Sequence, residues 1–192
     1  MKLSLLSVLH GIRNDLGLST GGLFPLKALY PSRSYFVQVL NRNYHDTQYG
    51  FPLKDDNALF ERLVLEINQA GLSWITILKK AENFHYAYDG FVIEKVARYK
   101  EKDRARLLAD TGIIRNRLKV DAAMVNAQKI IELRKEFGSF KGWLDTYHPR
   151  SKDEWTKLFK NNCTQYTPLI QASSPPRRAG LALDHALVFG VH

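Results

Sequence analysis

Leu59-Phe60-Glu61-Arg62-Leu63-Val64-Leu65-Glu66-Ile67-Asn68-Gln69-Ala70-Gly71-Leu72-Ser73-Trp74 is the stretch that decides the fold. Leu59, Leu63, Ile67 and Ala70, with Phe60 and Val64 beside them, fall on one side at the 3.6-residue period and predict a helix. Glu66 sits at the margin of that side, next to Ala70 and Leu63 in projection. A carboxylate there is half withdrawn from water, which suits a group that reads a ligand. The pattern breaks at Ala70-Gly71-Leu72. Gly71 relaxes the backbone, Leu72 falls on an exposed turn, and Ser73 can cap a second helix that begins at Trp74. A helix, a tight turn tipped by an apolar residue and a helix carrying an aromatic can build a pocket beside a wedge. An ordinary helical hairpin with a solvated glutamate has the same local pattern.

Working downstream, the helix from Trp74 is expected to run to about Phe84, with Lys79 and Lys80 near its end, where cations suit the helix dipole. Asp89-Gly90 marks a turn, and Val92 to Arg98 reads as a short helix. A second informative unit follows. Glu101 to Ala109 is helical, Asp110-Thr111-Gly112-Ile113-Ile114-Arg115 is a short turn, and Asn116 to Phe137 is a long helix kept in period by Val120, Ala123, Met124, Ala127, Ile130 and Ile131. Two helices joined by a Gly-containing turn, with Arg115, Arg117 and Lys119 at the start of the second, look like a helix-hairpin-helix. Turn amides and the positive end of a helix can there hold a DNA phosphate without reading sequence. A plain helical connection with solvated arginines fits the same residues. Gly138 ends the long helix, Phe140, Trp143 and Leu144 make a short apolar one, and Ser151-Lys152-Asp153-Glu154 has the spacing of a capping box that opens a last helix through Trp155, Leu158 and Phe159.

Upstream, Asp55, Asp56 and Asn57 are possible N-caps for the deciding helix. Tyr44-His45-Asp46-Thr47-Gln48-Tyr49-Gly50, dense in polar and aromatic side chains and followed by Pro52, reads as a loop. Residues 1–42 read as a loosely packed N-terminal extension, acid-poor and punctuated by Gly21-Gly22, Pro25 and Pro31. Residues 161–192 read as a separate C-terminal tail, with Ser173-Ser174-Pro175-Pro176-Arg177-Arg178 excluding a helix interior. The expected organisation is therefore an all-α core over residues 43–160 with an appendage at each end.

Composition narrows the function. In 192 residues, 45% hydrophobic and 24% charged, there is enough apolar material for one buried core. Twenty-eight Lys and Arg against nineteen Asp and Glu give a formal charge of +9, which favours polyanionic partners such as nucleic acid or an anionic surface. A single cysteine, Cys163, excludes an internal disulfide framework and points to a reducing compartment. No apolar run reaches the length of a membrane span, and the short run at Leu3 to Leu9 is broken by serines. An intracellular protein is expected.

Taken together, these residues resemble the bacterial-type DNA-3-methyladenine glycosylase I family. The match lies in Tyr44-His45-Asp46 with Tyr49-Gly50, in Glu66 with Gln69-Ala70-Gly71-Leu72-Ser73-Trp74, and in Leu78-Lys79-Lys80 with Glu82-Asn83. It continues in Gly112-Ile113-Ile114-Arg115-Asn116-Arg117 and Asn126-Ala127, and covers about Asn43 to Lys160. The resemblance implies an all-helical fold of the helix-hairpin-helix glycosylase type, acting on duplex DNA with alkylated bases, as a monomer. Glu66 would hydrogen-bond 3-methyladenine as the catalytic, base-reading carboxylate, while Tyr44, Tyr49 and Trp74 would line and stack on the base. Leu72, on the Gly71 turn beside Gln69, would wedge into the duplex, and the Gly112-Ile114-Arg115 turn would hold the backbone. No cofactor is required for such chemistry. The family also carries a structural zinc site with two Cys and two His. Here His45 matches one ligand, but no cysteine precedes it, and Phe189 stands where the second Cys is expected, near a faint echo that includes His185. Two histidines alone make a poor zinc site. A non-catalytic DNA-binding remnant of the family is the alternative reading. It predicts salt-dependent duplex binding, weakened by substitution of Arg115 or Lys119 but indifferent to Glu66.

Overall fold

The structure, a computed structural model, describes residues 33–48 and 51–163. The chain divides into two compact units, Met1–Phe36 and Val37–His192, and nearly all the described residues belong to the second. Among them the secondary structure is entirely helical. The helices are α1 (Arg33–Thr47), α2 (Asp56–Gln69), α3 (Trp74–Leu78), α4 (Ala81–Ala87), α5 (Ile93–Val96), α6 (Glu101–Ala109), α7 (Arg117–Phe137), α8 (Phe140–Thr146) and α9 (Lys152–Asn162), with a 3-10 turn at Asp89–Phe91. The expected all-α class is the observed one.

The second unit is built around α2 and α7. Leu59, Phe60, Leu63 and Val64 are fully buried and Ile67 nearly so, so the apolar stripe of α2 faces inward over its whole length. α7 contributes Val120, Ala122, Ala123, Ala127 and Ile130 to the same core. Its small alanines let it pack closely against α5, α6 and α8 as well as α2. Phe140 and Trp143 of α8 stack with centroids 5.6 Å apart, and Phe159 of α9 meets Trp143 edge-on at 5.7 Å. These aromatic contacts fasten the last helix to the core.

The caps explain where the helices begin and end. Asp55 accepts from the amide of Ala58 and starts α2, leaving the neighbouring Asp56 free for another task. Asp56 instead accepts from the amides of Phe140 and Lys141 at 2.9 and 3.0 Å and from Arg134 Nε at 2.7 Å, tying the start of α2 to the start of α8. Gly138, at φ +80°, terminates α7 as expected. Ser151 and Glu154 form the capping box that opens α9.

Two sequence expectations are corrected. The segment from Tyr44, expected as a loop, is helical through Thr47. The amide of Gln48 still donates to Tyr44 O at 2.9 Å, and Thr47 Oγ1 donates to Asn43 O instead of starting a turn. Tyr44 faces the core and holds this last turn in register. The helix expected from Trp74 to about Phe84 is two helices, broken at Lys79 and Lys80. At the break the Lys80 side chain leaves the helix axis and reaches the turn before α7.

Candidate functional site

Glu66 lies one turn before the end of α2, half-buried at the margin of the apolar stripe, as its position in projection requires. Its carboxylate accepts no hydrogen bond from any described residue. Burial pushes its pKa up to about 7, and the Arg62 guanidinium one turn earlier pulls against that rise. Arg62 is buried, donates to the Tyr44 hydroxyl and stands 5.1 Å from the centre of the Tyr44 ring. Tyr44 in turn meets Trp74 at 5.2 Å between ring centroids with a 59° tilt. The indole N–H of Trp74 is buried with no acceptor among the described residues. A carboxylate, a guanidinium, a phenol and an indole are thus linked in one run from α2 through α1 to α3. Arg62 was not anticipated. Its signal was available, because position 62 adjoins Leu59, Leu63 and Glu66 on the inward side of the helix.

The turn that joins α2 to α3 is tightly specified. Gly71 adopts φ +77°, which an L side chain rarely takes. The Leu72 amide donates to Gln69 O at 2.7 Å, and Gln69 Nε2 donates back to Leu72 O at 3.0 Å. Leu72 itself stands 37% exposed at the tip, an apolar side chain aimed at solvent by a closed turn. Ser73 occupies the N-cap position of α3, but its hydroxyl bonds Thr76 Oγ1 rather than a backbone amide, so the expected cap is positional only.

The hairpin Asp110–Asn116 joins α6 to α7. Gly112 donates to Asp110 Oδ1 at 2.7 Å, and a Cβ on Gly112 would stand 2.9 Å from that oxygen and 3.1 Å from Asn83 Cβ. A side chain at this position would have to displace the Asp110 carboxylate and press on Asn83. Asn116 caps α7 through the amide of Lys119. Ile113 is buried and Ile114 packs against the core, while Arg115 and Arg117 project into solvent. The amides of Ile113, Ile114 and Arg115 have no acceptor among the described residues. Consecutive unpaired amides at a helix N-terminus, with exposed arginines beside them, form a site suited to a phosphate.

Lys119 departs from expectation. It is not a solvent-facing cation: it is buried, and its Nζ donates to Asn68 O and Ala70 O, both at 2.8 Å. Its place in α7, one residue before Val120 and four before Ala123, put it on the inward stripe, which is the sequence signal that was overlooked.

The remaining candidates stand apart. His45 is exposed and paired with Asp46 at 3.0 Å. No three His, Cys, Asp or Glu side chains among the described residues come together as metal ligands. Cys163 is buried at the end of α9, where burial pushes its thiol up to about 12 and disfavours a ligating thiolate. The described residues thus do not fit a zinc site. Tyr49, His185 and Phe189 lie outside the described residues. No helix among the described residues is long and apolar enough to cross a membrane.

The described residues thus form a helical domain with a half-buried carboxylate, an exposed leucine on a glycine turn and a glycine-containing hairpin before a long helix. The sequence profile of the methyladenine glycosylase family matches residues 37–174, and the chain belongs to that family. A DNA-3-methyladenine glycosylase 1 of Escherichia coli K12 is 47% identical over 90 residues, covering 47% of this chain and 48% of that protein. A DNA-3-methyladenine glycosylase of Haemophilus influenzae is 40% identical over 98 residues, covering 51% and 53%. The chain thus spans about half the length of these curated relatives. A solved structure of 3-methyladenine DNA glycosylase I from Staphylococcus aureus superposes with a TM-score of 0.62 at 32% identity, over 69% of this chain and 80% of that one. A solution structure of 3-methyladenine DNA glycosylase I gives 0.59 at 31% identity, over 70% and 82%.

Proposed function

We propose that the chain is a base-excision repair glycosylase that extrudes 3-methyladenine from alkylated duplex DNA and hydrolyses its N-glycosidic bond. The observation that carries this reading is Glu66, a half-buried carboxylate without a hydrogen-bond partner among the described residues, linked through Arg62 to Tyr44 and Trp74. A partnerless buried carboxylate is costly to keep unless a ligand completes it. The lesion is cationic, so a carboxylate and electron-rich rings attract it more than normal adenine. When the C1′–N9 bond breaks, its electron pair leaves with the base and neutralises that positive charge. Water adds at C1′ and releases a proton. Little general-acid help is needed, and selective binding of the extruded base supplies the discrimination.

Gln69, Gly71 and Leu72 would fill the space the base vacates, because an apolar wedge offsets part of the few kcal/mol that unstacking costs, roughly, per step. Gly112, Ile114 and Arg115 would hold a phosphate, and Tyr49 would join the base pocket. The protein would act inside the cell, on DNA and as a monomer, with no metal in the chemistry. One observation favours the alternative of a DNA-binding remnant: the buried Arg62 guanidinium offsets the charge of Glu66 and weakens its pull on a cationic base.

The test is release of free 3-methyladenine from methylated duplex by the wild type and by Glu66→Ala. Release that disappears in the variant supports the glycosylase. No release from either folded protein, with duplex binding retained, leaves the remnant in its place.

A further inference from the structure

Two lysines hold the wedge turn and the hairpin turn to each other's elements. Lys119, in the first turn of α7 just after the hairpin, reaches back to the end of α2, where it binds Asn68 O and Ala70 O. Lys80, in the break just after the wedge helix α3, reaches the other way and binds Thr111 O at 2.9 Å and Gly112 O at 3.0 Å. Asn83 adds a longer bond to Gly112 O at 3.4 Å. Neither ammonium has a carboxylate partner among the described residues, and burial alone lowers the pKa of Lys119. Among the described residues each positive charge is matched by backbone carbonyls, those of Thr111 and Gly112 for Lys80 and those of Asn68 and Ala70 for Lys119.

We propose that Lys80 and Lys119 are positioning residues: crossed struts that fix the wedge and the phosphate-binding hairpin at one separation, so that gripping the backbone sets the depth of the wedge. This rests on the glycosylase reading above. The peptide plane supplies the mechanism. In a trans peptide the C=O and the following N–H point in opposite directions. Holding Gly112 O inward therefore turns the Ile113 amide away from Lys80, and this is the first of the three unpaired amides of the hairpin. Holding Ala70 O sets the plane that enters Gly71, and so the aim of Leu72. A strut lost on either side leaves both turns present but no longer registered to each other.

The experiment compares Lys119→Met, Lys80→Met and Lys119→Arg with the wild type. Thermal melts first establish that each variant is folded. Binding to undamaged duplex is followed by anisotropy across salt, base extrusion by the fluorescence of a single 2-aminopurine in the duplex, and base release by single-turnover kinetics. A direct phosphate ligand would lower the slope of log affinity against log salt by about 0.9 when removed. A strut leaves that slope unchanged. Lys119→Met is expected to bind undamaged duplex within about threefold of wild type while extrusion and release fall by at least about tenfold, as expected when a contact acts on the reacting geometry rather than on binding. Lys119→Arg, which keeps the donors, should recover most of the loss. The proposal is overturned if release is unchanged in both Met variants, or if the salt slope drops in either. It is also overturned if activity falls only in proportion to unfolded protein. Should the wild type release no base, the glycosylase reading fails by itself. The 2-aminopurine signal still decides the struts: present in wild type and lost in Lys119→Met supports them, and equal in both, whether present or absent, overturns them.

Discussion

Glu66 carries a proton more tightly in the folded protein than in the unfolded chain, because burial raises its pKa from 4.5 to about 7. The sign follows from linkage. Between pH 4.5 and about 7 the native state binds more protons than the unfolded one, so stability falls as pH rises through that window and levels off above it. Glu66→Gln removes the titration. Denaturant melts should show the variant equal to wild type near pH 4 and more stable at pH 8, on the order of 1–2 kcal/mol after allowance for the exposed edge of the side chain. Catalysis should run the other way. A cationic base needs the ionised carboxylate, so kcat/KM for base release should climb as pH passes through about 7 in wild type and stay low and flat in the variant. A more stable but inactive Glu66→Gln is the signature of a residue kept for chemistry. Its position was legible in the sequence, because helical projection alone puts it at the edge of the stripe. The buried Arg62 beside it was overlooked, because a charged residue on an apolar face is discounted until its partner, here Tyr44 from another helix, is placed.

The Gly71–Leu72 turn and the Asp110–Asn116 hairpin are the elements to which the proposed function assigns the duplex contacts, and they differ in how they tolerate change. Leu72→Ala should leave stability within about 0.5 kcal/mol of wild type, because the side chain is 37% exposed at a turn tip, while base extrusion drops. Gly71→Ala should cost about 1–2 kcal/mol through its φ of +77° and not through crowding, since nothing lies within 4 Å of an added Cβ. Thermal melts and 2-aminopurine fluorescence, measured together, separate the two. An equal stability loss in both variants would contradict the geometry. The break at Lys79 and Lys80 was not legible from periodicity, because Trp74, Ile77, Leu78 and Phe84 stay close enough to the helical period to read as one helix. At the interruption Lys80 bonds carbonyls of the hairpin, 31 and 32 residues away along the chain.

On the scale of the whole second unit, Asp56 links the start of α2 to the end of α7 and the start of α8. Burial alone would raise its pKa, but the amides of Phe140 and Lys141 and the Arg134 side chain outweigh burial and hold it below the usual 3.8. Its contribution is present above the unfolded pKa and disappears as pH falls below about 4. Asp56→Ala leaves the amides of Phe140 and Lys141 without their acceptor and takes from Arg134 one of its two carboxylate partners, the other being Glu94, and should cost about 2–4 kcal/mol at neutral pH. The difference from wild type should shrink as the pH is lowered toward 3, which urea melts at a series of pH values would measure. A deficit that did not change with pH would mean that Asp56 acts only as a helix-start residue.

The sequence by itself determined the helix of Glu66 and the long helix after the hairpin, the Asn116 and Ser151 caps, the Gly71 and Gly138 turns, the margin position of Glu66 and the exposure of Leu72. Each of these depends on residues within a turn or two, where propensity, periodicity and capping act. The expected family came from the resemblance of separated motifs, such as Tyr44-His45-Asp46 and Gln69–Trp74, and agrees with the match over residues 37–174. Only the tertiary structure decided which charged side chains turn inward. Lys119 pairs with carbonyls 51 and 49 residues before it, Lys80 with carbonyls 31 and 32 residues after it, and Asp56 with amides 84 and 85 residues on. No local pattern carries such pairings. A buried charge is tolerated only where packing brings distant polar atoms to meet it, and that is settled when the helices come together.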